Sequence, residues 1–392
     1  MTMDASYNNN LTEVPYIKRI LDLPELLKRK SYFLFGPRQT GKTFLIRHTM
    51  PDIRIYDLLD SASYLSLSQN PGRIGQELTS EDRIVVIDEI QRLPELLNEV
   101  HRLIEERSVA FLLTGSSPRK LRRGGVNLLG GRARVQRLHP LTYRELGSRF
   151  DIGKVAERGL LPSIYFSDDP RADLESYVGL YLQQEIVAEG AARNVPAFSR
   201  FLKVAALCNG KLVNFTNVAN DAQVARTTVY EYFEILKDTL VMHELPSWTK
   251  SKKRKPLTSS KYYFFDIGVA GTLQGRNFSE GTPEFGEAFE TFIFQELVAY
   301  RDYLSREELR HWRSKTGFEV DFIIGGHTAL EVKASDNITE RDLRSLRALA
   351  EENSLKRYIC LSREKRPRRI GKISIIPFKQ FLDRLWAGEY TG

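Results

Sequence analysis

Cysteine is nearly absent, with two in 392 residues. Cys208 and Cys360 stand far apart with no histidine at metal-ligand spacing, which argues against a disulfide framework and a zinc site. No uncharged apolar run reaches about 18 residues, so no membrane-spanning helix is expected. The opening MTMDASYNNNLTEV is polar and has no hydrophobic segment, so no secretory signal is expected either. There is no internal repeat, and low complexity is confined to the three asparagines at 8–10. These absences fit a soluble cytoplasmic protein. What is present is ordinary in bulk: 42% hydrophobic and 28% charged residues. At about 150 residues per domain the length suggests two or three domains, with apolar material for more than one core.

Acid is the other local shortage. Lys and Arg total 58 against 50 Asp and Glu, a formal net charge of +8. Between Ser117 and Arg137 there are seven bases (Arg119, Lys120, Arg122, Arg123, Arg132, Arg134, Arg137) and no acid. Between Arg341 and Arg369 ten bases face four acids. Clustered positive charge suits phosphate-bearing partners, nucleotide or nucleic acid, although a solvated basic face would look the same.

Short apolar runs alternate with helical patterns over the first 140 residues, the habit of a parallel sheet in an α/β domain. SYFLF (31–35), IRIYDL (53–58), RIVVID (83–88) and AFLLTG (110–115) are the expected strands. The expected divisions are 1–140, a first α/β domain; 141–208, a helical connector; 209–250, a segment of helices and a short strand; 251–274, a linker; and 275–392, a second α/β domain. SKKRKP (251–256), charged and ended by proline, marks that linker.

The strongest motif is GPRQTGKT, Gly36-Pro37-Arg38-Gln39-Thr40-Gly41-Lys42-Thr43, which follows a strand and opens a helix. Glycines let backbone N–H groups curl around phosphate oxygens, and the following helix points its positive end at the same anion. Lys42 is expected to bridge the β- and γ-phosphates of ATP, and Thr43 to present its hydroxyl to Mg²⁺. The partner is IVVIDE (84–89): Asp88 ends a buried strand where open parallel sheets bind ligands, and would hold the Mg²⁺. The adjacent Glu89 can polarise the attacking water. FLLTGSS (111–117) ends in hydroxyls, so Ser116 or Thr114 could sense the γ-phosphate, or simply end the strand.

With these residues in view, the chain resembles prokaryotic AAA-type ATPases whose P-loop reads GPRQxGKT. In that group a TGSS strand end is followed by Gly-Arg, here Gly131-Arg132, and by a stretch here reading Pro140-Leu141-Thr142-Tyr143-Arg144-Glu145. The resemblance implies an ATP-dependent switch or motor, commonly oligomeric, with a C-terminal domain of unknown function. It also implies that Arg132 contacts the γ-phosphate, in cis or across a subunit interface, with Arg119 among the rivals.

In 225–236, Val229, Phe233 and Leu236 recur at helical spacing, with Thr227 or Thr228 placed to open the helix. The segment looks like the second helix of a winged helix-turn-helix. Arg226 and Lys237 are balanced by Glu231 and Glu234, which favours a structural or protein-contact role over DNA reading.

Near the C-terminus, 318–324 alternates with period two, putting Phe318, Val320, Phe322 and Ile324 on one face and Asp321 on the other. Gly325-Gly326 turns the chain, and Leu330-Glu331-Val332-Lys333 resumes the alternation. Asp321 and Glu331 then fall opposite each other with Lys333 alongside. Facing carboxylates repel, and a divalent cation between them would remove the repulsion; Lys333 neutralising an exposed hairpin is the alternative. The pattern Asp-x(9)-Glu-x-Lys resembles the PD-(D/E)XK restriction-endonuclease-like fold. That resemblance implies Mg²⁺ or Mn²⁺ held by Asp321, Glu331 and Glu290, with Lys333 orienting water or stabilising the transition state. A basic helix opened by Thr339, carrying Arg341, Arg344 and Arg347, would track a DNA or RNA backbone.

The expectation is therefore an ATP-binding, ATP-hydrolysing AAA-type P-loop protein with a helical and winged-helix middle and a nuclease-like α/β domain. A nucleotide-controlled scaffold with an inactive nuclease-like domain is the alternative.

Overall fold

The computed structural model describes residues 15–119, 121, 129–182 and 194–390. Lys120, Arg122 and Arg123 of the first basic cluster lie outside the described residues.

Five parallel strands form the first sheet: β1 (Ser31–Phe35), β2 (Arg54–Asp57), β3 (Ile84–Asp88), β4 (Ala110–Gly115) and β5 (Ala133–Arg137). Their order is β2-β3-β4-β1-β5, so β4 is inserted between the P-loop strand and the Asp88 strand. The central strands read as continuous apolar runs because both faces are covered. Phe33, Phe35, Val85, Ile87, Phe111 and Leu113 pack on one side with Leu96, Val100 and Leu103 of helix Leu96–Arg107. Tyr32, Leu34, Val86 and Leu112 pack on the other with Leu45 and Ile46 of helix Lys42–Thr49. The four expected strands form, within a residue or two at their ends. Strand β5, ARVQR, is an edge strand with charged and half-exposed residues, and so lacks the apolar signature.

Beyond residue 141 short helices lead into Val195–Leu207, Phe215–Ala222 and Arg226–Asp238. Val229, Phe233 and Leu236 of the last are buried, whereas Arg226, Tyr230, Glu231 and Glu234 face outward. The helix begins at Arg226 without a side-chain cap, not at a capping threonine. An antiparallel pair, β6 (Met242–Leu245) and β7 (Lys261–Phe264), completes a wing beside the two helices.

The expected linker over 251–274 is not one. The backbone N–H groups of Lys252, Lys253 and Arg254 all donate to the Glu352 carboxylate. Residues 261–264 are the second wing strand, and Ile267–Gln274 is a largely buried helix. Asp266 caps that helix through the Val269 N–H (3.1 Å) and also accepts from Leu160 N–H (2.7 Å). A carboxylate 100 residues downstream thus collects the amides of a run that composition alone presents as a break.

The second sheet has the order β12-β13-β11-β10-β9-β8, built from β8 (Leu309–Arg313), β9 (Glu319–Ile324), β10 (Thr328–Val332), β11 (Arg357–Ser362), β12 (Arg368–Ile370) and β13 (Ile373–Pro377). Helices Phe285–Tyr300 and Phe378–Trp386 cover one face and Arg344–Ala350 the other. One continuous core joins the helical middle to the first of these faces, running from Leu146 and Phe201 to Phe292 and Phe381. The middle and the C-terminal sheet are therefore packed as one body. The basic helix begins at Arg344; Thr339 instead closes a turn through Asp342.

Candidate nucleotide site and carboxylate centre

The P-loop leaves β1 at Gly36, where a Cβ would lie 2.4 Å from the Leu138 carbonyl oxygen, so only glycine fits. The loop ends at Gly41, whose φ of +92° is the left-handed region that glycine adopts freely. Thr40 is fully buried and donates to the Pro37 carbonyl at 2.9 Å. Lys42 is buried and folds back onto the carbonyls of Gly36 (2.6 Å) and Pro37 (3.2 Å).

Asp88, at the carboxyl end of β3, is 3% exposed. The Thr43 hydroxyl donates to its Oδ2 at 2.8 Å, and the Thr114 hydroxyl donates to its Oδ1. The Thr43 hydroxyl and the Asp88 carboxylate, two hard oxygen ligands, thus meet at one point, a set that suits Mg²⁺. Glu89 follows with φ +61°, its N–H donating to Thr114 Oγ1 at 3.2 Å and its carboxylate accepting from Gln91. Of the two hydroxyls left open by the sequence, Thr114 reaches the Asp88–Glu89 pair. Ser116 is buried 3.5 Å from Gln91 Nε2.

Arg132 does not reach this site within its own chain. Ser31 pairs with Ala133 and Phe35 with Arg137, so Arg132 sits at the amino-terminal base of the sheet, beside Glu105. The five residues of β1, roughly 16 Å of rise, separate it from the P-loop. Arg119 is buried and paired with Asp238 at 2.7 Å, at the end of the second wing-domain helix.

Three features of the site carry no motif. Arg19 donates to the Thr40 carbonyl (2.8 Å) and the His139 carbonyl (2.6 Å), and forms a buried ion pair with Glu145 (2.9 Å). Burial opposes the Arg19 charge, but Glu145 holds its pKa above the usual arginine value. The helical middle closes over the loop, with Tyr177 donating to the Arg38 carbonyl (3.4 Å) and Ser163 to Gln39 Oε1 (3.1 Å). Beside Gly41 lies an apolar-walled cavity of 230 Å³ lined by Tyr16, Ile17, Phe44, Leu141 and Pro162 among others. The Tyr16 ring, one of its walls, stacks on His48 at 4.3 Å. Flat aromatic and aliphatic walls next to a phosphate loop are chemically suited to a nucleobase.

In the C-terminal sheet, Leu330 pairs with Phe322, which sets Glu331 against Asp321. The period-two expectation fails at one point. Arg310 pairs with Ile323 and Trp312 with Val320, so His311 faces two residues, Asp321 and Phe322. This bulge puts Val320 in the core with Ile323, while Phe322 and Ile324 enter the opposite core.

Asp321 accepts from Val332 N–H at 2.8 Å, and Lys333 donates to Glu331 Oε1 at 2.6 Å. Glu331 Oε2 is buried with no hydrogen-bond partner. Burial and the facing Glu331 push the Asp321 carboxyl well above its usual range; burial pushes Glu331 to about 7. Burial opposes the Lys333 charge, yet Glu331 and Asp321 hold its pKa above the usual lysine value.

Glu290, expected as a third metal ligand, is engaged elsewhere. It accepts from Tyr263 Oη at 2.6 Å and lies 3.4 Å from Lys261 Nζ. Among the described residues no three His, Cys, Asp or Glu side chains gather into a group that could hold a metal ion. Lys261 and Tyr263, both on β7, went unseen in the sequence because they lie some sixty residues before Asp321 in a segment read as linker. Arg341, Arg344 and Arg347 are exposed, and Arg347 pairs with Glu340.

Three family models match successive parts of the chain. Residues 28–147 match a family model described as an AAA domain. The first unit is an AAA domain. Residues 149–280 and 285–381 match models described as domains of unknown function, DUF8612 and DUF4143. The break between these models falls near 280–285, later than the expected 274. An uncharacterized protein of Mycobacterium tuberculosis is 28% identical over 327 residues, covering 80% of this chain and 72% of the relative; one from Mycobacterium bovis matches equally. An uncharacterized Haemophilus influenzae protein is 20% identical over 239 residues, 56% of this chain and 59% of its own. Among solved structures, a replication initiator DnaA bound to AMPPCP and single-stranded DNA aligns over 57% of this chain and 90% of its own, at 15% identity and a TM-score of 0.30. A STAND-type signal transduction ATPase from Pyrococcus horikoshii aligns over 74% and 47%, at 13% identity and a TM-score of 0.22. Scores this low say nothing about what this chain binds. Among the described residues no helix is long and apolar enough to cross a membrane.

The Arg19 contacts give a direct expectation. Arg19→Ala leaves the fully buried Glu145 without its cation and frees the Thr40 carbonyl, so unfolding stability should fall by about 3–5 kcal/mol. Urea denaturation checks this, and a loss below 1 kcal/mol would show that Arg19 does not hold the loop.

Proposed function

We propose that the protein binds ATP with Mg²⁺ and hydrolyses it. The observation that carries this reading is the meeting of the Thr43 and Thr114 hydroxyls on the buried Asp88 carboxylate beside the P-loop. Gly36, Gly41 and the loop amides would cradle the phosphates, with Lys42 turning from the loop carbonyls toward the β- and γ-oxygens. Thr43 and Asp88 would hold Mg²⁺, which neutralises charge on the phosphate oxygens when bound. Glu89, released from Gln91, takes the proton of the attacking water as its oxygen bonds to the γ-phosphorus. The bond to the β–γ bridging oxygen breaks and ADP leaves. The cavity flanked by Tyr16 and Phe44 supports a place for the base. Arg132, out of reach at home, would serve the site of a neighbouring copy in a homo-oligomer, with Ser116 a polar neighbour of the Glu89–Gln91 pair.

A second reading concerns the C-terminal sheet. The orphaned Glu331 Oε2, facing Asp321 and flanked by Lys333, supports a centre for one divalent cation acting on a nucleic-acid phosphodiester. Magnesium commonly takes one or two carboxylates and completes its shell with water and substrate phosphate, so the two carboxylates fit it without Glu290. The cation would supply charge neutralisation at the phosphate. Lys333, anchored on Glu331, would stabilise the oxygen that develops negative charge.

Lys42→Ala should abolish ATP binding, and Glu89→Gln should preserve binding while lowering turnover at least a hundredfold. Equilibrium binding and phosphate release measure the two; unchanged turnover in both variants contradicts the ATPase reading. For the second reading, Mg²⁺ or Mn²⁺ should support cleavage of DNA or RNA that Asp321→Ala and Lys333→Ala both abolish. ATP turnover without scission of any strand would instead leave the C-terminal sheet as part of a nucleotide-controlled scaffold.

A further inference from the structure

Lys261 belongs to the wing, yet its ammonium lies among carboxylates of the C-terminal sheet and of the helix Phe285–Tyr300 that covers it. Its Nζ is 2.6 Å from Glu319 Oε1, 3.4 Å from Glu290 Oε1 and 3.8 Å from Asp321 Oδ1. The residue is 2% exposed. An ammonium this buried gives up nearly all its hydration, a cost that is met only when fixed negative charge surrounds it. Here three carboxylates surround it, and Tyr263 from the same strand fixes Glu290 through its hydroxyl. Solvent reaches the cluster through the partly exposed side chains of Glu290, Glu319 and Lys333.

The charge balance within the cluster is uneven. Lys261 and Arg313 (3.2 Å) both serve Glu319, and Lys333 serves one oxygen of Glu331. The buried Oε2 of Glu331 has no partner. With every group ionised, four carboxylates against three cations leave one formal negative charge, and the unmatched oxygen lies on the Asp321/Glu331 side. Catalytic pairs of divalent ions sit about 3.5–4 Å apart and share a carboxylate. Asp321 has the place of such a shared group, between the Lys261 ammonium and the unmatched Glu331 oxygen.

We propose that Lys261 stands in the position of a second divalent cation, so that the wing supplies as a fixed ammonium what a two-ion centre takes from solution. The count of one remaining ion rests on the Asp321/Glu331 reading above; the role of Lys261 does not. Glu290 and Glu319 are then counter-charges of a lysine and not metal ligands in the native chain, and Lys261 is a positioning residue.

The test is a count of bound Mn²⁺ on the purified full-length chain, read by the electron paramagnetic resonance of free Mn²⁺ during titration. Any ion at the P-loop site is common to all variants and cancels in the differences. Lys261→Met should bind one more Mn²⁺ than the native chain, and adding Glu319→Gln should remove that extra ion. Glu331→Gln in the native background should lose one ion. If it loses none while Lys261→Met still gains one, the Asp321/Glu331 reading fails and the Lys261 assignment stands. A folded Lys261→Met chain with an unchanged count overturns the assignment. If Lys261→Met does not fold alone, Mn²⁺ should restore a cooperative melting transition to it but not to Lys261→Met/Glu319→Gln. Absence of that restoration overturns the assignment equally.

Discussion

The constraint on which the rest depends is the burial of the Asp88 carboxylate with a hydroxyl on each of its oxygens. Sheet order creates the arrangement. With β4 between β1 and β3, the P-loop helix sends Thr43 to the acid from one side and the inserted strand sends Thr114 from the other. Hydroxyls satisfy the oxygens of a carboxylate but carry no charge, and the Lys42 ammonium lies against the carbonyls of Gly36 and Pro37. A bound triphosphate with magnesium would bring a cation to Asp88 and phosphate oxygens to the Lys42 side of the loop. The buried sheet, the glycine approach at Leu138 and the helical cover from the middle segment all serve to hold that geometry.

Buried or half-buried ion pairs, more than loose linkers, tie the parts of the chain together. Arg19 joins the P-loop to Glu145 at the start of the helical middle, and Arg119 joins the end of β4 to Asp238 of the wing domain. Lys261 joins the wing to Glu319 of the C-terminal sheet. Removing the acid from any of these pairs is costly because it takes a partner from a buried cation. The Arg119 contact starts three residues beyond Ser116, and Lys261 lies on the wing strand that pairs with the segment following Asp238. The P-loop unit, the wing and the C-terminal sheet are thus linked through short, charged contacts.

Much of the nucleotide site was legible because its chemistry is local. Eight consecutive residues make the phosphate loop, and an apolar strand ending in Asp-Glu announces its partner. The Asp321–Glu331 register was equally readable, since a Gly-Gly turn fixes which residues face each other. Arg19, Tyr16 and Lys261 were invisible for the converse reason: their partners are 126, 32 and about 60 residues away, and no periodicity marks them. The basic run at 251–256 looked like a tether because composition cannot show a distant Glu352 accepting its amides. Arg132 was placed by resemblance alone, and strand register puts it at the wrong end of the sheet for its own site. The β9 bulge escaped because alternation assumes an unbroken ladder, and one extra residue reverses it.

Titration calorimetry of the purified chain with ATP, in the presence of Mg²⁺ and again in a chelator, tests the central claim most directly. Saturable binding that tightens at least tenfold with Mg²⁺ is the predicted result, because on this account Thr43 and Asp88 would hold the ion only alongside the phosphates. No heat with ATP under either condition, or binding indifferent to Mg²⁺, would contradict it.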